Sequence, residues 1–214
     1  MKTFLTITLL AISMLGYSQK FTFVFLNKKP DAEKITPEES KKIMDGHMAN
    51  INRLASEGKL ISAGPFEGGG GIFILNTTSV DDAKQWLSTD PGVQAKRWDI
   101  EMFPYTPRIG SACSLKPPYD MVMYTFVRFD AIVSKPTAAT FPMIIKKHDD
   151  YLKKLSETGN VVAEGIFGDN EGGILVMKGD IQRDVIESDP GIQEGLLEFK
   201  ILQLYIAKGA FCEK

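Results

Sequence analysis

The feature that most constrains the fold of this chain is that it repeats itself. His47 and Leu54 are followed by Glu57-Gly58, Ala63-Gly64 and Phe66. The same skeleton returns 101 residues later as His148, Leu155, Thr158-Gly159, Glu164-Gly165 and Phe167. Gly70-Gly71-Ile72 comes back as Gly172-Gly173-Ile174, and Asp90-Pro91-Gly92 as Asp189-Pro190-Gly191. An internal repeat means two units built alike, each a candidate partner for the other's apolar surface. Residues 104–118 are rich in Pro, Gly and Ser, the composition of a connection between units. The expected organisation is a first repeat over 19–110, a linker over 111–118 and a second repeat over 119–214, after an N-terminal segment over 1–18.

Both units read in the same order. Residues 21–26 and 121–129 are β-branched and aromatic runs that fit strands. Thr36, Pro37, Glu38 and Glu39 supply a cap, a first-turn proline and early acids, so a helix begins there and runs to about residue 56. On it Ile43, His47, Ile51 and Leu54 share a face, and Ile144, His148, Leu152 and Leu155 repeat the stripe. Gly58 and Gly159 close these helices. Strands over 60–66 and 72–75, matched by 161–167 and 174–177, form hairpins around glycine turns. A shorter helix at 80–87, matched at 181–187, stops at Asp-Pro-Gly, and the last strands are 97–103 and 196–206. The order βαββαβ is the ferredoxin-like arrangement, given twice. Helices on one face of such a sheet leave the other face apolar, and the second repeat can cover it.

The segment from His47 through Ala63-Gly64-Pro65, with Gly70-Gly71, Trp86, Asp90-Pro91 and a closing aromatic strand, resembles the YCII-related domain family. The second repeat keeps the histidine and Asp-Pro but has Glu164-Gly165-Ile166 in place of Ala-Gly-Pro. The resemblance implies an α+β fold in which two ferredoxin-like βαββαβ repeats pack their sheets face to face as an intramolecular dimeric α+β barrel. It also implies a His and Asp active site, in a family where some relatives dehalogenate or isomerise muconolactone-type rings.

Lys2, an apolar run over 4–16 and small residues at Gly16 and Ser18 have the layout of a secretory signal peptide, with cleavage expected after Ser18. The run is shorter than the roughly 20 residues that span a bilayer, and no second one follows, so no membrane span is expected. A secreted or periplasmic location is expected. Export places Cys113 and Cys212, just past each last strand, in an oxidising compartment where a disulfide can form. The net charge of −2, more negative still without Lys2, argues against nucleic acid as a partner. The 43% hydrophobic content supports packed cores rather than disorder. Whether the chain stays a monomer or forms a homo-oligomer is undecided.

Chemistry rests on few side chains. His47 and His148 are the two histidines, placed identically in the repeats, and histidine titrates nearest neutrality. Asp90 and Asp189 precede Pro-Gly. Each can bond its own backbone in a turn, or accept a hydrogen bond from one imidazole nitrogen or share a substrate proton and so fix the tautomer. Catalytic candidates are therefore His47, Asp90, His148 and Asp189, against the alternative of histidines that fill the core. The first repeat retains Ala63-Gly64-Pro65 and is expected to be the more competent site. Gly68 to Gly71 lead into a strand, not a helix, so they read as a hairpin turn rather than a phosphate loop. No metal-ligand motif appears. Related barrels bind haem, but no distal-pocket signal accompanies either histidine, so no cofactor is expected. Three function classes follow: an acid-base enzyme on a small carbonyl or lactone compound, a non-catalytic small-molecule binder, and a structural or interaction module.

Overall fold

The computed structural model describes residues 21–132, 140–169 and 171–213. Residues 1–18, where a signal peptide is expected, lie outside the described residues. Strand β1 (Phe21–Lys28) is apolar on both faces because it is central in its layer: Phe21, Phe23 and Phe25 point one way, Val24 and Leu26 the other, all buried. Helix α1 (Pro37–Ser56) starts at the Thr36 and Glu39 capping box, with both reciprocal bonds made. Strands β2 (Leu60–Pro65) and β3 (Gly71–Leu75) form the hairpin. Gly70 turns it with φ +79°, where an added Cβ would lie 2.3 Å from the Leu26 carbonyl oxygen. Helix α2 (Val80–Leu87) leads to a one-turn helix α3 (Pro91–Gln94) and strand β4 (Trp98–Ile109). The second half repeats this order. It consists of β5 (Met121–Ala131), α4 (Phe141–Ser156), β6 (Val161–Phe167), β7 (Gly172–Met177), α5 (Arg183–Glu187), α6 (Pro190–Gln193) and β8 (Leu197–Ala207).

All eight strands belong to one antiparallel sheet in the order β2-β3-β1-β4-β6-β7-β5-β8. The halves face each other as expected, and they are also sewn together at their edges. Strand β4 runs on past residue 103 and pairs with β6, Tyr105 opposite Phe167 and Pro107 opposite Gly165. Residues 104–109, which the composition assigned to the connection, are thus strand. Pro107 is tolerated where the pairing with β6 is bulged after it, and Pro104 where it lies opposite Thr22 at the start of β1. At the other edge Phe66 bridges to Leu204, and the Glu67 N–H donates to the Gln203 carbonyl at 2.9 Å. The sheet therefore curls into a barrel.

Inside lies an aromatic core of Phe23, Phe25, Phe66, Tyr105, Phe126 and Phe167, with successive rings 5.0 to 6.2 Å apart. Burying each phenylalanine contributes roughly 1.5–3 kcal/mol. The helices coat the outside over two further clusters, one per half, anchored by Leu54 and Phe73 in the first and by Leu152 and Leu175 in the second. The segments that follow β4 and β8 are tied together. Cys113 N–H donates to the Ala210 carbonyl, and Cys113 and Cys212 form a disulfide with Cα atoms 5.2 Å apart.

Candidate functional site

Each histidine projects from the helix face that packs on the sheet, and each finds its aspartate at the start of the following one-turn helix. Asp90 does more than end α2. It is the N-cap of α3, accepting from Gly92 N–H at 2.8 Å and Val93 N–H at 3.2 Å through Oδ1, with Pro91 at the first helical position. Its other oxygen is left to face α1. There it takes His47 Nδ1 at 2.8 Å and Asn50 Nδ2 at 2.9 Å. Gly46 permits the close approach of α1 to α3, since a Cβ there would lie 2.8 Å from Pro91 Cγ. The second half repeats the device: Asp189 caps α6 through Gly191 N–H at 2.7 Å and holds His148 Nδ1 at 2.7 Å. All four candidate residues are buried, and the structure brings them together as two separate pairs.

Burial pushes the Asp90 carboxyl upward, but the hydrogen bond and charge of His47, with Asn50 and the Val93 N–H, outweigh it and hold the group below the usual carboxylate range. An ionised carboxylate only accepts, so Nδ1 of His47 carries a proton and Nε2 is the nitrogen left to exchange one. Asp90 is the hydrogen-bond partner of His47, and among the described residues no fully buried side-chain nitrogen or oxygen lacks a partner. Nε2 therefore keeps a contact with solvent, consistent with side chains 8% and 9% exposed for His47 and His148.

The surroundings of the two rings differ. His47 sits between Phe73, stacked at 5.7 Å, and Trp98 at 4.8 Å. His148 meets the edge of Phe129 at 5.3 Å. Leu197 holds the position that Trp98 holds in the first half, each touching the glycine of Asp-Pro-Gly. Beside His148 a cleft of about 20 Å³ opens between Ile145, Ile166 and Leu197, room for about one water. It adjoins a shallow groove of about 360 Å³ along α4, with Ile145 and Asp149 lining both.

Glu164, the departure from Ala-Gly-Pro, is explained by an ion-pair cluster. Buried in β6, it takes Arg108 Nε and Nη2 at 3.0 and 2.6 Å, and Arg108 Nη1 reaches Asp149 at 2.6 Å. Burial alone would lower the Arg108 pKa; Glu164 and Asp149 more than reverse this. Sequence reasoning missed Arg108 because it lay in the supposed connection. It also missed Asn50, although a residue three after His47 on the same helical face was the available signal.

Among the described residues no three His, Cys, Asp or Glu side chains gather to hold a metal. The aromatic side chains fill the barrel and both histidines lie on the helices outside it, so the residues present do not fit a haem in the barrel.

Residues 21–103 match the family model of the YCII-related domain. The match covers the first half and stops before the second. No curated protein matches the chain. Among solved structures, one described as a candidate chlorite dismutase aligns over 89% of this chain and 96% of its own, with 9% identity and TM-score 0.52. Candidate monooxygenases from Lactobacillus acidophilus and Fusobacterium nucleatum align over 88% and 90% of this chain and 95% and 94% of theirs. Their identities are 15% and 11%, with TM-scores 0.43 and 0.47. The chlorite dismutase-like likeness establishes the dimeric α+β barrel fold and nothing of the reaction.

Proposed function

We propose that the His–Asp pairs are acid-base groups acting on a small carbonyl or lactone compound, in an exported protein whose second half is a diverged copy of the YCII-related first. The observation that carries this is the aspartate fixed on Nδ1 by a helix cap, which leaves Nε2 without a protein partner and with a residual solvent contact in both halves. Nε2 would take a proton from the carbon next to a carbonyl, the electron pair moving to the carbonyl oxygen as an enolate. The imidazolium would return the proton to the same or a neighbouring carbon. Asp90 and Asp189 hold the ring and stabilise its charged form without themselves taking the proton. Export is supported by the layout of residues 1–18 and by the Cys113 and Cys212 pairing.

A second reading has its own observation. Asp90 is fully buried with four hydrogen-bond donors around it, an arrangement that clamps α1 to α3 whatever Nε2 does.

Hydrogen exchange separates the two. Small ketones and lactones are incubated with the protein in heavy water, and deuterium entry at the carbon next to the carbonyl is followed by NMR. The acid-base reading expects faster entry than with a doubly substituted His47→Gln, His148→Gln variant. Equal rates, with the variant folded, leave the clamp as the function of the pairs.

A further inference from the structure

The two dyads are not equivalent, and resting on the acid-base reading above, we infer that the second half is the ligand site for small, neutral, largely apolar compounds, while the first half serves as a clamp. Three independent differences point the same way. The first is space. Trp98 lies 4.8 Å from the His47 ring, whereas Leu197 at the matching place leaves the cleft beside His148. That cleft holds about one water, and it opens onto the shallow groove along α4, with which it shares Ile145 and Asp149.

The second difference is how each aspartate divides its charge. Asp90 accepts from His47, Asn50, Gly92 and Val93, and Asn50 is itself held through its oxygen by Arg53 at 2.7 Å. Asp189 accepts from His148 and Gly191 alone, because Tyr151 stands where Asn50 would and donates to the Val185 carbonyl instead. A carboxylate shared among four donors is spent on holding helices together, while one with two gives more of its charge to the imidazole. The third is packing between helices. Gly46 lets α1 close onto Pro91, whereas the matching Lys147 carries a side chain that reaches out to Glu194 at 3.6 Å.

The lining sets the ligand class. Ile145, Ile166, Leu197 and Phe141 are apolar. The charged groups facing the groove are Asp149, tied to Arg108, and Lys146, tied to Asp150. With Glu164 also bound to Arg108 and Asp189 behind His148, carboxylates outnumber cations, so an anionic ligand is repelled.

Two histidines give two imidazole Cε1–H NMR signals, assigned with His47→Gln and His148→Gln. The probes are α-angelica lactone, neutral and unsaturated, and levulinate, its ring-opened anion. The lactone is expected to shift the His148 signal saturably and leave the His47 signal in place, with levulinate at least tenfold weaker. Leu197→Trp is expected to abolish the response, and Trp98→Leu to make the His47 signal respond. A response confined to His47, equal responses from both, or none from either overturns the inference. The exchange assay reports separately on the reading beneath it. Lactone binding at His148 without deuterium entry keeps the ligand site and removes the acid-base function. Exchange lost in His47→Gln but kept in His148→Gln retains the chemistry and removes this assignment.

Discussion

Truncating the two aspartates to alanine should have unequal effects on stability, and the structure gives the size of the difference. Asp90→Ala removes the N-cap of α3, worth about 1 kcal/mol. It also leaves His47 Nδ1 and Asn50 Nδ2 without an acceptor in a buried place, each unmade bond costing about 1–3 kcal/mol. Partial relaxation and the residual solvent contact of the ring pull the total to about 3–5 kcal/mol. Asp189→Ala loses the same cap contribution but strands a single donor, His148 Nδ1, for about 2–3 kcal/mol. The gap of about 1–2 kcal/mol corresponds to several degrees in melting temperature, at roughly 2–4 °C per kcal/mol for a chain of this size. Urea denaturation at pH 7 followed by circular dichroism measures both variants against the parent. If Asp189→Ala is as destabilising as Asp90→Ala, or more so, the donor count does not govern these sites and the clamp assigned to the first half is wrong.

Because the Asp90 pKa is held below its ordinary range in the fold, its contribution is present above the unfolded value near about pH 4. That contribution is lost as pH falls through the folded value, so the stability gap between parent and Asp90→Asn should shrink on acidification; a gap that widens would reverse the sign. Reducing the Cys113 and Cys212 disulfide, or substituting Cys113→Ser, should lower stability by up to about 4–5 kcal/mol in the chain-entropy model for so long a loop, read as the difference between melts with and without reductant. Glu164→Ala leaves the Arg108 guanidinium with Asp149 as its remaining carboxylate. Since that side chain stays 30% exposed, the loss should be about 1–3 kcal/mol rather than the 3–5 kcal/mol of a wholly buried pair, by the same denaturation assay.

Much of this arrangement is legible in the residues because local and repeated signals agree. Thr36 to Glu39 announce α1, the glycines announce the hairpins, and the duplicated histidines and aspartates announce two pairs. What stays hidden depends on contacts between segments far apart in the chain. Proline at 104 and 107 argues against a strand locally, yet β1 and β6 supply the partners that make one. Asp90 reads as the end of α2, and only its Oδ1, accepting from Gly92 and Val93, reveals that it also begins α3. Glu164 looks like damage to a motif until Arg108, 56 residues before it, arrives across the barrel seam. Trp98 and Leu197 read alike as strand residues, and their different sizes acquire meaning once the position next to each histidine is known.

Carried in one chain, neither half has to serve as its own partner. Phe25 pairs across the sheet with Ile72 and Glu101, and Arg128 with Ile174 and Lys200, so Phe25 and Arg128 hold matching positions, as do Glu101 and Lys200. The matching residues meet inside the barrel, the Arg128 guanidinium lying 4.1 Å from the Phe25 ring centre while binding Glu101 at 2.7 and 3.0 Å and Asp130 at 2.6 Å. Arg128 draws the Glu101 carboxyl below its usual range, and Lys200 adds to the pull. A second half paired with its own copy would set Arg128 against Arg128, with Lys200 where Glu101 should be, and a buried guanidinium without its carboxylate is costly. A first half paired with itself would set Phe25 against Phe25 and leave Glu101 without its guanidinium. The charges therefore specify a first half against a second half, and such a pair need not keep its two sites alike.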